Sequence, residues 1–128
     1  MPEAFVFIGN YRVKDGKLED FRKIAAELVE TVETNEPRMI AFHIFIDEDA
    51  SRTSVLQVHP DAASMEFHMQ AISDHIAGAF NYLETESSQV FGHTPDALLG
   101  TIRQYTEPGV EIRVMPTHEA GFTRSNAE

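Results

Sequence analysis

Apolar residues along this chain follow two periods, and the switches between them lay out its elements. Phe5, Phe7, Gly9 and Tyr11 fall on one face of an extended segment, and Val6, Ile8, Asn10 and Arg12 on the other. Apolar groups on both faces predict an interior strand, broken at Asp15-Gly16. Leu18, Phe21, Ile24, Ala25, Leu28, Val29 and Val32 then recur at three- and four-residue steps, with Glu19, Lys23, Glu27 and Glu30 opposite. That stripe predicts a helix with one packed face, stopping near Asn35-Glu36-Pro37 because Pro37 restricts the residue before it. Alternation returns over Met39 to Ile46 and, after the polar stretch Asp47 to Arg52, over Thr53 to Val58, which predicts an antiparallel hairpin.

A second helix opens at Pro60-Asp61, with Asp61 as its cap. Its pattern runs through Met65, Met69, Ile72 and Ile76 toward Phe80 and Leu83, with a bend near Ser73-Asp74 where Ser73 caps a second piece. Gln89 to Gly92 is too short to classify. Thr94-Pro95 caps a short helical stretch holding Ala97, Leu98, Leu99 and Ile102. After the turn Glu107-Pro108-Gly109, Val110, Ile112 and Val114 alternate in a last strand that Pro116 ends. The order is βαββαβ, an α+β, ferredoxin-like plan: a four-stranded antiparallel sheet with helices on one face. Its other face carries apolar residues and has no internal cover. Such patches mark interfaces, and a second copy of the sheet is the simplest cover, so a homodimer through that face is expected.

The 128 residues suit one domain, with an added helical segment at 93–106 and a tail at 117–128. There are 21 acidic and 10 basic side chains, for a formal net charge of −11. That balance argues against nucleic acid and anionic membrane surfaces as partners, since both need clustered Lys and Arg. The chain has no cysteine, so neither a disulfide framework nor thiolate chemistry enters. No apolar run approaches the ~20 residues of a membrane span, and a cytoplasmic protein is expected. The scattered glycines form no nucleotide-binding loop.

Several segments together resemble the antibiotic biosynthesis monooxygenase-like family of the dimeric α+β barrel superfamily. They are Asn10-Tyr11-Arg12 with Lys14-Asp15-Gly16-Lys17 and Phe21, then Pro37 with Met39 to Ile46, and Val55-Leu56-Gln57-Val58 leading to Asp61, Ala62, Met65 and His68. The likeness covers roughly Phe5 to Tyr82. It implies a dimer whose sheets face each other, with a pocket in each subunit between sheet and helices. Characterised relatives include cofactor-free oxygenases of polycyclic phenols, haem-degrading enzymes and quinol oxygenases. The chain departs where such families often carry Trp-Glu after the third strand. Here His59-Pro60 stands there, and no tryptophan is present.

Four residues become candidates for catalysis. The Asn10 amide can hold a phenolate or reduced oxygen, or can simply bond a loop or a buried water. His43 can act as a base, or be satisfied by a backbone carbonyl in a core or interface. His59 sits at a strand-to-helix junction, where pockets are often lined, or it caps. His68 lies at the margin of the second helix's apolar face, able to reach a pocket or to serve as a boundary residue. His68 and His75 form no compact metal set with their neighbours, so neither a metal nor another cofactor is expected. The expected function is a cofactor-independent monooxygenase acting on an electron-rich aromatic, a phenol or quinol. The alternative is a non-catalytic homodimer that binds a small hydrophobic ligand or has a structural role.

Overall fold

The computed structural model describes residues 4–124. The expected tail therefore lies partly outside the described residues, at 125–128. Among the described residues, five strands and four helices follow in order: β1 (Phe5–Val13), α1 (Leu18–Asn35), β2 (Ala41–Asp47), β3 (Arg52–His59), α2 (Ala62–Ala71), α3 (Ser73–Ala79), β4 (Leu83–Phe91), α4 (Asp96–Gln104) and β5 (Glu111–Met115). The sheet order is β2-β3-β1-β4-β5. β1 is central and antiparallel to both β3 and β4, placing Phe7 between Gln57 and Val90.

The βαββαβ unit is present, but its fourth strand is β4 rather than the segment after Gly109. The sequence hid this strand because Glu84, Glu86, Ser87 and Gln89 face one way and Thr85 and Ser88 the other, leaving little apolar alternation. β5 is a fifth strand, parallel to β4, and α4 is the crossover helix that a parallel connection requires. The sheet is therefore mixed at this edge.

All helices pack on one face, here called the inner face. One core joins Phe5 and Phe7 of β1, Met65 and Met69 of α2, Val90 of β4, and Leu98 and Ile102 of α4. A second core joins Val13, Phe21 and Leu83. α1 begins and ends as its apolar stripe predicts, and its cap residue Glu36 returns its N–H to the Val32 carbonyl. Asp61 does cap α2, accepting the Ser64 N–H at 3.0 Å. The break between α2 and α3 falls where expected, yet Ser73 makes no capping bond, and Ile72 is the cap residue. Likewise Pro95 stands at the N-cap position of α4 without a side-chain capping bond, and Thr94 donates to the Gly92 carbonyl.

The outer face presents half-buried Val6, Ile8, Leu56 and Val58, with Phe45 61% exposed. Exposed ion pairs Arg12–Glu84 and Arg52–Glu86 fringe it. No helix among the described residues is long and apolar enough to cross a membrane.

Candidate active site

A cavity of about 110 Å³ lies between the inner sheet face and the helices. Phe7, Phe21, Leu28, Phe42, Ile44 and Met65 give it a largely apolar wall. A concave apolar site with a few converging polar groups is the default location for ligand chemistry. Tyr11, Gln57, His68, Thr85 and Ser88 supply those groups.

His68 is the best-built of them. It sits on α2, is 2% exposed, and donates Nδ1–H to both carboxylate oxygens of Glu36, at 2.9 and 3.0 Å. The Glu36 side chain is equally buried. The carboxylate holds the ring orientation and puts the proton on Nδ1, so the neutral imidazole keeps its acceptor lone pair on Nε2. That nitrogen makes no hydrogen bond to another described residue. Phe42 lies beside the ring, with centroids 5.8 Å apart. A histidine oriented by a carboxylate at the wall of an apolar cavity is the arrangement expected of a general base.

His59 lies next to His68, ring centroids 6.0 Å apart, but does not line the cavity. It is fully buried, with Nδ1 2.7 Å from Ser64 Oγ and Nε2 2.9 Å from Gln57 Oε1. Burial, reinforced by nearby His68 and Arg38 and opposed by Asp61, holds its imidazole down at about 4. His59 is therefore neutral near pH 7.

Asn10 and His43 stand on the opposite side of the sheet. Ser54 Oγ donates to Asn10 Oδ1 at 2.7 Å, and Asn10 Nδ2 donates to Ser87 Oγ at 3.1 Å. The amide thus bridges the strands flanking β1, beside the register shift between Asn10 and Tyr11. Neither expectation for Asn10 holds: its amide bonds two serines on neighbouring strands and, with the parity of Val6 and Ile8 on β1, faces away from the helices and the cavity. His43 shares that outer face, exposed beside Phe45. Of the four candidates the fold brings together His59 and His68 only.

Glu36, Tyr11, Gln57 and Thr85 were missed as site residues. Tyr11 and Gln57 have the parity of Phe7 and His59, which is a signal for the inner face once the register is known. Glu36 appears in sequence only as a residue at the helix stop. Thr85 lies on the strand that went unseen, and its Oγ1 is buried without a hydrogen-bond partner among the described residues. Burial, with a smaller push from Glu107, raises the Tyr11 phenol to about 12, leaving it a neutral donor. Among the described residues, no three His, Asp or Glu side chains converge as metal ligands.

The antibiotic biosynthesis monooxygenase family model matches residues 4–80. No curated protein matches the chain. Among solved structures it is similar to MupZ from Pseudomonas fluorescens, at 15% identity and a TM-score of 0.72 over 98% of both chains. That coverage takes in α4 and β5, so the added crossover belongs to the shared fold. It is also similar to a conserved protein from Methanosarcina mazei, at 19% identity and TM-score 0.61 over 70% of this chain and 91% of that one. A protein from Shewanella oneidensis matches at 22% identity and TM-score 0.57 over 70% of this chain and 88% of that one. These likenesses concern the fold. The family match spans more than half of the residues and runs from β1 through α3, the segment that builds the Glu36–His68 wall. This chain belongs to the antibiotic biosynthesis monooxygenase family.

Proposed function

We propose that the protein is a cofactor-independent monooxygenase acting on a phenol or quinol bound in the inner cavity. The observation that carries this reading is the buried Glu36–His68 pair at the wall of that apolar cavity. His68 Nε2 takes the hydroxyl proton, and Glu36 stabilises the imidazolium that results. The phenolate is electron-rich enough to reduce dioxygen. One oxygen atom bonds to a ring carbon, the other leaves as water, and the ring C–H and O–H both become carbonyls. For a phenol the balance is ArH(OH) + O2 → quinone + H2O, with all four electrons from the substrate. A dry, apolar wall favours this step by excluding competing protonation by water.

Oxygen uptake with a panel of phenols and quinols tests the reading. The parent should consume oxygen with at least one compound, and His68→Gln should lower the rate about 100- to 10,000-fold, the usual worth of a positioned base. No uptake by the parent with any compound would favour the hydrophobic-ligand-binding alternative. The outer sheet face, with Phe45 at its edge, supports a homodimer as the working assembly.

A further inference from the structure

The Gln57 amide is held by a relay that begins outside the cavity. Asp61 caps α2 by accepting the Ser64 N–H, and Arg38 pairs with Asp61 at 2.5 Å. Ser64 is thereby fixed under the His59 ring, and its hydroxyl has its one side-chain partner there, at Nδ1. His59 is neutral and has a single N–H to give. Gln57 Oε1 can only accept, so the His59 proton sits on Nε2 and goes to it, and Nδ1 accepts the Ser64 hydroxyl proton. With its oxygen taken, Gln57 has only its NH2 group left to offer. That side chain is 5% exposed and lines the cavity, and its nitrogen makes no hydrogen bond to another described residue. Gln57 also pairs in register with Phe42, the residue beside the His68 ring.

From this geometry we infer that Gln57 is the oxygen-binding donor of the cavity, turned toward the ligand by the Ser64–His59 relay and paired with the His68 base. The inference rests on the cavity reading above and names what the site recognises: an aromatic whose hydroxyl oxygen becomes an anion. Gln57 N–H bonds hold that oxygen while His68 Nε2 takes its proton. A donor fixed in advance toward a developing oxyanion stabilises the charged form more than the neutral one. His59 and Ser64 are positioning residues: they touch the amide and not the ligand.

Two probes of similar shape separate these roles. 4-Nitrophenol reports its ionisation by colour, while 4-nitrotoluene carries no hydroxyl. We expect the parent to bind both and to bind 4-nitrophenol as the phenolate at a pH where the free phenol is largely protonated. Gln57→Leu and Gln57→Met should keep 4-nitrotoluene affinity within about threefold and weaken phenolate binding about tenfold or more, the worth of a hydrogen bond to a charged group. Ser64→Ala, remote from the cavity, should cause a smaller loss in the same direction, because the His59 proton is no longer confined to Nε2. Retained 4-nitrotoluene binding shows that each variant is folded. Unchanged phenolate-to-toluene ratios in both Gln57 variants would overturn the Gln57 assignment and leave the cavity reading standing. A parent that binds neither probe would overturn the cavity reading and this inference with it.

Discussion

Gly9 decides where the Tyr11 ring lies. A Cβ built on Gly9 would stand 2.2 Å from Tyr11 Oη and 2.7 Å from two ring carbons. The absent side chain lets the phenol fold back along β1 over the cavity floor. Gly9→Ala should therefore displace the ring and cost about 1–3 kcal/mol, as overpacking does. In a Tyr11→Ala background the same change should cost much less, and urea denaturation of the four proteins measures the coupling. His59 gives a second residue-level expectation. Its folded-state value of about 4 lies below the ordinary 6.5, so the unfolded chain binds more protons between those values. The stability it contributes is complete above pH 6.5 and is lost as pH falls toward 4, by roughly 3 kcal/mol at about 1.4 kcal/mol per unit. The urea midpoint should fall less steeply over that window in His59→Gln than in the parent. An equal fall in both would place the pH dependence elsewhere. Asn10 shows why residues of this kind are hard to read in sequence. An amide in a strand demands a partner, and sequence does not say whether the partner is a ligand or, as here, two serines on neighbouring strands.

Helices declared themselves in the sequence through burial, and the polar strand did not. α1 was legible because one stripe is buried and the other wet. Both Phe21 and Leu28 line the cavity, but Phe21 is 4% exposed and packed in the core with Val13 and Leu83, whereas Leu28 is only half-buried. Phe21→Ala should cost about 3–5 kcal/mol, and Leu28→Ala should fall at or below the low end of the usual 2–5 kcal/mol, because Leu28 is only half-buried in the folded chain. Equal costs would mean that Leu28 is packed as fully as Phe21. β4 was illegible because a strand facing polar groups on both sides gives no period-two signal. Missing it displaced α4 and β5 in the expected order, so α4 looked like an inserted segment. Yet Leu98 and Ile102 of α4 are 2% and 3% exposed and belong to the same core as Phe5 and Val90. Leu98→Ala should accordingly cost about 2–5 kcal/mol, on a par with central core positions. A change under ~1 kcal/mol would return α4 to the status of an appendage.

At the scale of the whole molecule, the sheet divides two kinds of work. The inner face, with the helices, builds the cavity and its Glu36–His68 wall. The outer face holds apolar and hydrogen-bonded polar groups with no element over them among the described residues, the condition that suits a second copy. Phe45→Asp and Leu56→Asp should each shift sedimentation from dimer to monomer, and a parent that remains a monomer at micromolar concentration would oppose the dimer. The catalytic account is tested most directly by isotopically labelled dioxygen. After turnover of a phenol that supports oxygen uptake, the product of the parent should carry one labelled atom per molecule and the released water the other, and His68→Gln should yield almost no labelled product under the same conditions. Label that appears equally with His68→Gln, or a product whose new oxygen comes from solvent, would contradict the account.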